Sequence, residues 1–152
     1  MMSSARADRI ERKIFMRAPR SRVWRALTDS REFGAWFGVT ATSTFTPGAR
    51  IHEHVQIKGY EHVMFDVTIE EMIPEHRFSW RWHPGSEVAA PNEPPTLVVF
   101  ELEDAPDGTL VTVVETGFDR LPASRYDKAF RENTDGWAEQ MPALERYVTT
   151  HP

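Results

Sequence analysis

The feature that most constrains this chain is a stripe of apolar residues near its end. Tyr126, Phe130, Trp137, Met141, Leu144 and Val148 follow one another at steps of four, seven, four, three and four. That spacing sets them on one face of an α-helix, predicted over 125–148. Asp127, Lys128, Arg131, Glu132, Asp135 and Glu139 lie opposite and face water. Gly136 opposes the helix by about 1 kcal/mol, and Pro142 by about 3 kcal/mol in an interior. Burial of the stripe outweighs both, at about 1.5–3 kcal/mol per large apolar side chain. Pro142 cannot bond the Ala138 carbonyl, which predicts a kink there. A helix with one apolar face needs a surface to lie on.

The rest of the chain supplies strands. Residues 9–17 alternate, with Ile10, Ile14 and Met16 on one side and Glu11, Lys13 and Arg17 on the other, as in a half-buried strand. Ala18-Pro19 opens a short helix whose buried edge is Val23, Ala26 and Leu27. Thr28 to Ser30 interrupts it, and Asp29 or Ser30 can cap a second helix carrying Phe33, Trp36 and Phe37 on one face and ending at Gly38. From Thr44 the period becomes two, and strands are expected at 42–46, 49–57, 62–73, 77–83, 96–103 and 109–117. Breaks such as Pro47-Gly48, Lys58-Gly59 and Asp107-Gly108 are short, so successive strands are antiparallel neighbours. Residues 83–95, with Pro84, Pro91, Pro94 and Pro95, are too long for a hairpin turn and read as a lid, a contact surface or a plain insertion. The expectation is an α+β fold in one domain over 1–152, with 1–8 disordered. The sheet is too wide for one helix to cover, so the gap between them can become a cavity.

Composition narrows function by exclusion. With 18 basic and 23 acidic residues the formal charge is −5, which gives no electrostatic reason to expect nucleic acid or an anionic membrane. No cysteine is present, which removes thiolate metal sites and thiol catalysis. No signal-peptide core or membrane-length apolar run is present, so a cytoplasmic location is expected.

Several pieces, in order, carry a family resemblance. They are Ala18-Pro19 with Val23-Trp24-Arg25-Ala26-Leu27-Thr28, Phe33-Gly34-Ala35-Trp36-Phe37, Pro47-Gly48-Ala49-Arg50 and Pro74-Glu75-His76-Arg77-Phe78-Ser79-Trp80. Glu115-Thr116-Gly117-Phe118 after the Gly108-Thr109 turn, and Gly136-Trp137, complete the set. Over roughly residues 10–148 the chain resembles the START-like, helix-grip superfamily, and within it single-domain relatives of the C-terminal domain of the heat-shock ATPase activator. The resemblance implies a curved antiparallel sheet wrapped around the long helix. It implies activity much less, since such folds host carriers, cyclases, hydrolytic enzymes and partner-binding domains. It also suggests that Gly136 marks a close approach of helix to sheet. Pro142 and the long 83–95 segment depart from the pattern at the cavity mouth.

Candidate site residues follow from the faces. Phe78, Trp80 and Trp82 share one strand face, where the two indoles are expected side by side as an aromatic wall. Val111, Val113 and Glu115 share a face that the resemblance makes the inner one, and Glu53 shares the apolar face of Ile51, Val55 and Ile57. An inward carboxylate needs a partner or a purpose, so Glu53 and Glu115 are the candidate acid–base residues, set against a bland reading as hydrogen-bonded rim carboxylates. The resemblance places Trp36 and Phe37 at the cavity mouth, and the expected ligand lining is Trp36, Phe37, Trp80, Trp82, Val113, Glu115, Trp137 and Met141. His52 and His54 face together with His62 nearby, but on the solvent side and without a completed ligand set, so no metal and no cofactor are expected. The leading expectation is a binding domain for a small, largely apolar molecule. The alternatives are a cyclase- or hydrolase-type enzyme using a cavity carboxylate, and a co-chaperone-like partner-binding domain of the stress response. A homodimer through a sheet edge or the proline-rich segment is also possible.

Overall fold

The alternating stretches form one antiparallel sheet, described in a computed structural model over residues 7–40, 42–84 and 93–152. Its strands are β1 (Arg9–Met16), β2 (Arg50–His54), β3 (Met64–Ile73), β4 (Arg77–Trp82), β5 (Thr96–Ala105) and β6 (Gly108–Thr116). Their order across the sheet is β1-β6-β5-β4-β3-β2. The last five therefore run as a meander, and β1 closes it by pairing with β6. Two short helices, α1 (Arg20–Thr28) and α2 (Ser30–Phe37), follow β1, and α3 (Ala123–Thr150) ends the chain. This is the α+β helix-grip arrangement.

The stripe on α3 buries Trp137, Met141, Leu144 and Val148, while Tyr126 and Phe130 remain half-buried. Pro142 stands inside a continuous helix; the four buried residues around it offset the bond it cannot make. Asp29 caps α2 by accepting from the Glu32 amide at 3.1 Å. Gly38 ends that helix at φ +94°, and a Cβ there would lie 2.8 Å from Ile57 Cγ1. Here a glycine is required twice over, by backbone and by space.

Four local expectations need correction. Residues 42–46 are not a strand: the Thr42 and Ser43 hydroxyls each donate to Glu53 at 3.0 Å, and Val39, not this segment, bridges to Val55. Ala7 and Asp8 are held, because the Ala7 carbonyl accepts from the Tyr126 hydroxyl and the Asp8 carbonyl accepts from the Gly117 and Phe118 amides. The rest of the expected disordered start, 1–6, and the middle of the proline-rich segment, 85–92, lie outside the described residues. Trp80 and Trp82 meet edge-to-face, at 5.4 Å and 70°, because sheet twist rotates successive side chains on one face. Finally, Gly136 is not a close approach: a Cβ built there meets nothing within 4 Å.

Candidate functional site

β6 alternates so that Val111, Val113 and Glu115 point inward, and all three are fully buried. Glu115 is therefore a carboxylate in the core, and its partners come from both layers. From the sheet, Trp82 Nε1 donates to Oε2 at 2.8 Å and Thr96 Oγ1 lies 2.6 Å from the same oxygen. From α3, Trp137 Nε1 donates to Oε1 at 2.8 Å, and Asn133 Nδ2 sits 3.0 Å from both oxygens. All four partners are neutral. Burial pushes the Glu115 pKa up, and the hydrogen bonds from Thr96, the two indoles and Asn133 pull against that without cancelling it. An indole N–H can only donate, so of these partners only the Thr96 hydroxyl can accept a proton from the neutral acid without an amide turning over.

Beside this cage lies an open cleft of about 870 Å³, between the first half of α3 and the loop joining β2 to β3. That is the size of a small-molecule site. One wall is apolar and aromatic, formed by Ile57, Tyr60, Val63, Met64 and Trp82. The helix wall is polar, with Lys128, Glu132, Asn133, Asp135, Glu139 and Gln140 around Gly136. Trp82 and Asn133 belong to both cleft and cage, so Glu115 sits one layer behind the cleft surface and holds two of its side chains in place.

The mouth carries a second buried carboxylate. Glu93 is 5% exposed. Arg125 Nε donates to its Oε1 at 2.7 Å, and Arg125 Nη2 bonds both its Oε2 and, at 2.9 Å, the Pro84 carbonyl. His83 Nε2 lies 2.9 Å from the Glu93 carbonyl oxygen. The Arg125 guanidinium holds the Glu93 carboxyl below its ordinary pKa despite burial.

The other expected site residues fall in three places. Phe37, Trp80, Trp82 and Trp137 form one aromatic cluster, with ring centroids 5.4–6.4 Å apart for the contacting pairs. Val113 and Met141 are buried in the core, and Trp36 meets Phe37 edge-on and donates its indole N–H to the Ala26 carbonyl at 2.8 Å. Of the expected ligand-lining residues, only Trp82 lines the cleft. Glu53 faces the same way as Ile51 but on the short edge strand β2, where it is only half-buried. Burial raises its pKa, but the bonds from Thr42 and Ser43 outweigh that and leave it lowered, so it is not a raised-pKa acid. His52 and His54 are exposed, and His52 Nδ1 lies 3.3 Å from Asp66. No group of three or more His, Asp or Glu among the described residues is placed to hold a metal.

Asn133 escaped the sequence reading, although a signal was there. The apolar stripe steps seven residues from Phe130 to Trp137, and Asn133 occupies that gap, one turn before Trp137. A polar residue interrupting a buried stripe asks for a buried partner.

The fold and the caged carboxylate define a helix-grip protein with a cleft along the first half of its long helix. The sequence model of the family described as Activator of Hsp90 ATPase homolog 1-like protein matches residues 17–149, and the chain belongs to that family. Among solved structures it is similar to DynU16, a protein of the dynemicin biosynthetic locus, at 26% identity and a TM-score of 0.72 over 95% of this chain. It covers 48% of DynU16, so it spans about half of that protein. Protein NE0264 from Nitrosomonas europaea matches at 18% identity and a TM-score of 0.74, over 95% of this chain and 96% of that one. Protein MLL2253 from Mesorhizobium loti matches at 19% identity and a TM-score of 0.72, over 95% and 98%. Identities this low show the fold alone. No curated protein matches the chain. No helix among the described residues is long and apolar enough to cross a membrane.

Proposed function

We propose that this protein binds a small amphiphilic molecule in the cleft between α3 and the β2–β3 loop. The observation that carries this reading is Gly136. A glycine inside a helix costs about 1 kcal/mol relative to alanine. Nothing within 4 Å would touch a Cβ there, so no packing constraint accounts for it. What it does is keep the middle of the helix wall open, opposite the aromatic wall. The mixed lining suits a ligand with an apolar body and a polar edge, rather than the largely apolar molecule expected from sequence. DynU16's place in a biosynthetic locus is in keeping with a small-molecule ligand.

Glu115 serves this site as a positioning residue. Trp82 and Asn133 stand between it and the cleft, so a substrate has no direct path to its oxygens, which weighs against an acid–base enzyme. A partner-binding domain calls for a broad exposed apolar patch. Among the described residues the exposed large apolar side chains are Ile57, Tyr60 and Ile73, and the first two belong to the cleft.

The test is a titration with the neutral dye phenylnaphthylamine, run beside native mass spectrometry of the purified protein. Wild type should show saturable binding, or carry a mass lost on denaturation. Gly136→Leu, which fills the cleft from a position with free space, should lose that binding with no fall in melting temperature. Equal binding by the two proteins, or none by wild type, would sink the reading.

A further inference from the structure

We infer that the cleft selects a cationic ligand: an aromatic or aliphatic body bearing an amine. This rests on the cleft-binding reading and adds the chemistry of the occupant, which follows from what each wall has left to offer.

On the helix wall, the two amides have their donor ends already committed. Asn133 turns its Nδ2 to the Glu115 carboxyl at 3.0 Å, and Gln140 gives its Nε2 to the Phe37 carbonyl at 2.9 Å. Because NH2 and oxygen occupy opposite limbs of a side-chain amide, these bonds set the flip of Gln140, and that of Asn133 while the Glu115 oxygens accept from it. The remaining oxygens, Asn133 Oδ1 and Gln140 Oε1, have no partner among the described residues, and neither is a buried unpartnered atom. They are left as free acceptors on side chains that line the cleft.

The charges point the same way. Asp135 and Glu139 lie one helical turn apart on either side of Gly136 and line the cleft without an ion-pair partner among the described residues. Arg125 is committed to Glu93 and the Pro84 carbonyl. Lys128 also lines the cleft, on a wall that carries three carboxylates, Glu132, Asp135 and Glu139. Around Gly136 the helix wall therefore offers two carboxylates and two amide oxygens, with the open space between them. Opposite stand Tyr60, Met64 and Trp82, which favour an apolar body and, through the two aromatic faces, a cation near it. A carboxylate or phosphate ligand would meet Asp135, Glu139 and the two amide oxygens on that helix wall.

Three naphthyl probes separate the terms: naphthylethylamine, naphthylacetate and neutral phenylnaphthylamine, titrated at low and moderate salt. Wild type should hold the amine at least about tenfold more tightly than the acid, the scale of one or two carboxylates acting through water at close range. In Asp135→Asn/Glu139→Gln that ratio should fall towards one, while phenylnaphthylamine binds as before. Asp127→Asn/Glu103→Gln, an equal loss of negative charge away from the cleft, should leave the ratio unchanged and so exclude a simple effect of net charge. An acid bound as tightly as the amine, or a ratio that survives Asp135→Asn/Glu139→Gln, overturns the inference. Failure of all three probes to bind folded wild type overturns the cleft reading itself, and the charge preference with it.

Discussion

Glu115 and Glu93 are two carboxylates hidden from solvent beside the same cleft, and their environments drive them in opposite directions. Glu115 lies deep and meets two indoles, an amide and a hydroxyl, so burial dominates and raises its pKa. Glu93 lies shallow under a guanidinium, which lowers its pKa. Residue type is the same and both are shielded. The charge of the partner and the depth of burial decide between them. The two sites also do different work: the first orients Trp82 and Asn133 from behind, and the second joins residues 84 and 93 to α3 at the mouth.

The largest test of this contrast is Glu115→Ala. It leaves the buried Trp137 N–H without an acceptor, releases the Trp82 and Asn133 donors behind the cleft and opens a cavity, and should lower unfolding stability by about 4 kcal/mol in urea titrations. A loss under about 1 kcal/mol would mean that the cage donors find other partners, and the deep site would no longer be distinct. Next comes Arg125→Met, which strands the Glu93 carboxylate and should lower stability by about 3 kcal/mol. No measurable loss would show that Glu93 is freely hydrated.

The third test sets the two against each other through pH. Glu93 is depressed in the folded state, so its contribution is present above the ordinary carboxylate range and is lost as pH falls through its folded value. Glu115 is raised, so its contribution is full below that range and is lost as pH rises through its folded value. Stability-against-pH curves should therefore lose part of their acid limb in Arg125→Met and part of their decline on the higher-pH side in Glu115→Gln. The same change in both variants would break the comparison. The smallest effect is at Gly136, where Gly136→Ala should raise stability by about 1 kcal/mol, since a Cβ has free space there. A destabilised Gly136→Ala would restore the close-approach reading.

Much of the fold was legible. Step patterns of two placed the strands of the meander, the stripe placed α3, and Asp29 marked the start of α2. The misses share one cause, which is contact between segments. Residues 42–46 alternate acceptably for a strand, but their hydroxyls found Glu53 instead of a backbone ladder. Gly136 read as a packing glycine because periodicity gives the face of a residue and not the distance to what lies across from it. Periodicity likewise puts Phe37, Trp80 and Trp137 on inner faces without giving the distance between them; in the structure their rings meet one another, and the open cleft lies to one side.

By itself, then, the sequence determined which residues share a face, Glu115 with Val111 and Val113 among them, and that a long helix must cover an antiparallel sheet. Those are properties of period, and period is written locally. Only the tertiary structure decided that Glu115 meets neutral donors from β4, β5 and α3, that Glu93 meets Arg125, and that the cleft opens beside Gly136. Each of these joins residues far apart in the chain. The curvature of the sheet and the seating of the helix set those distances, and no local pattern encodes them.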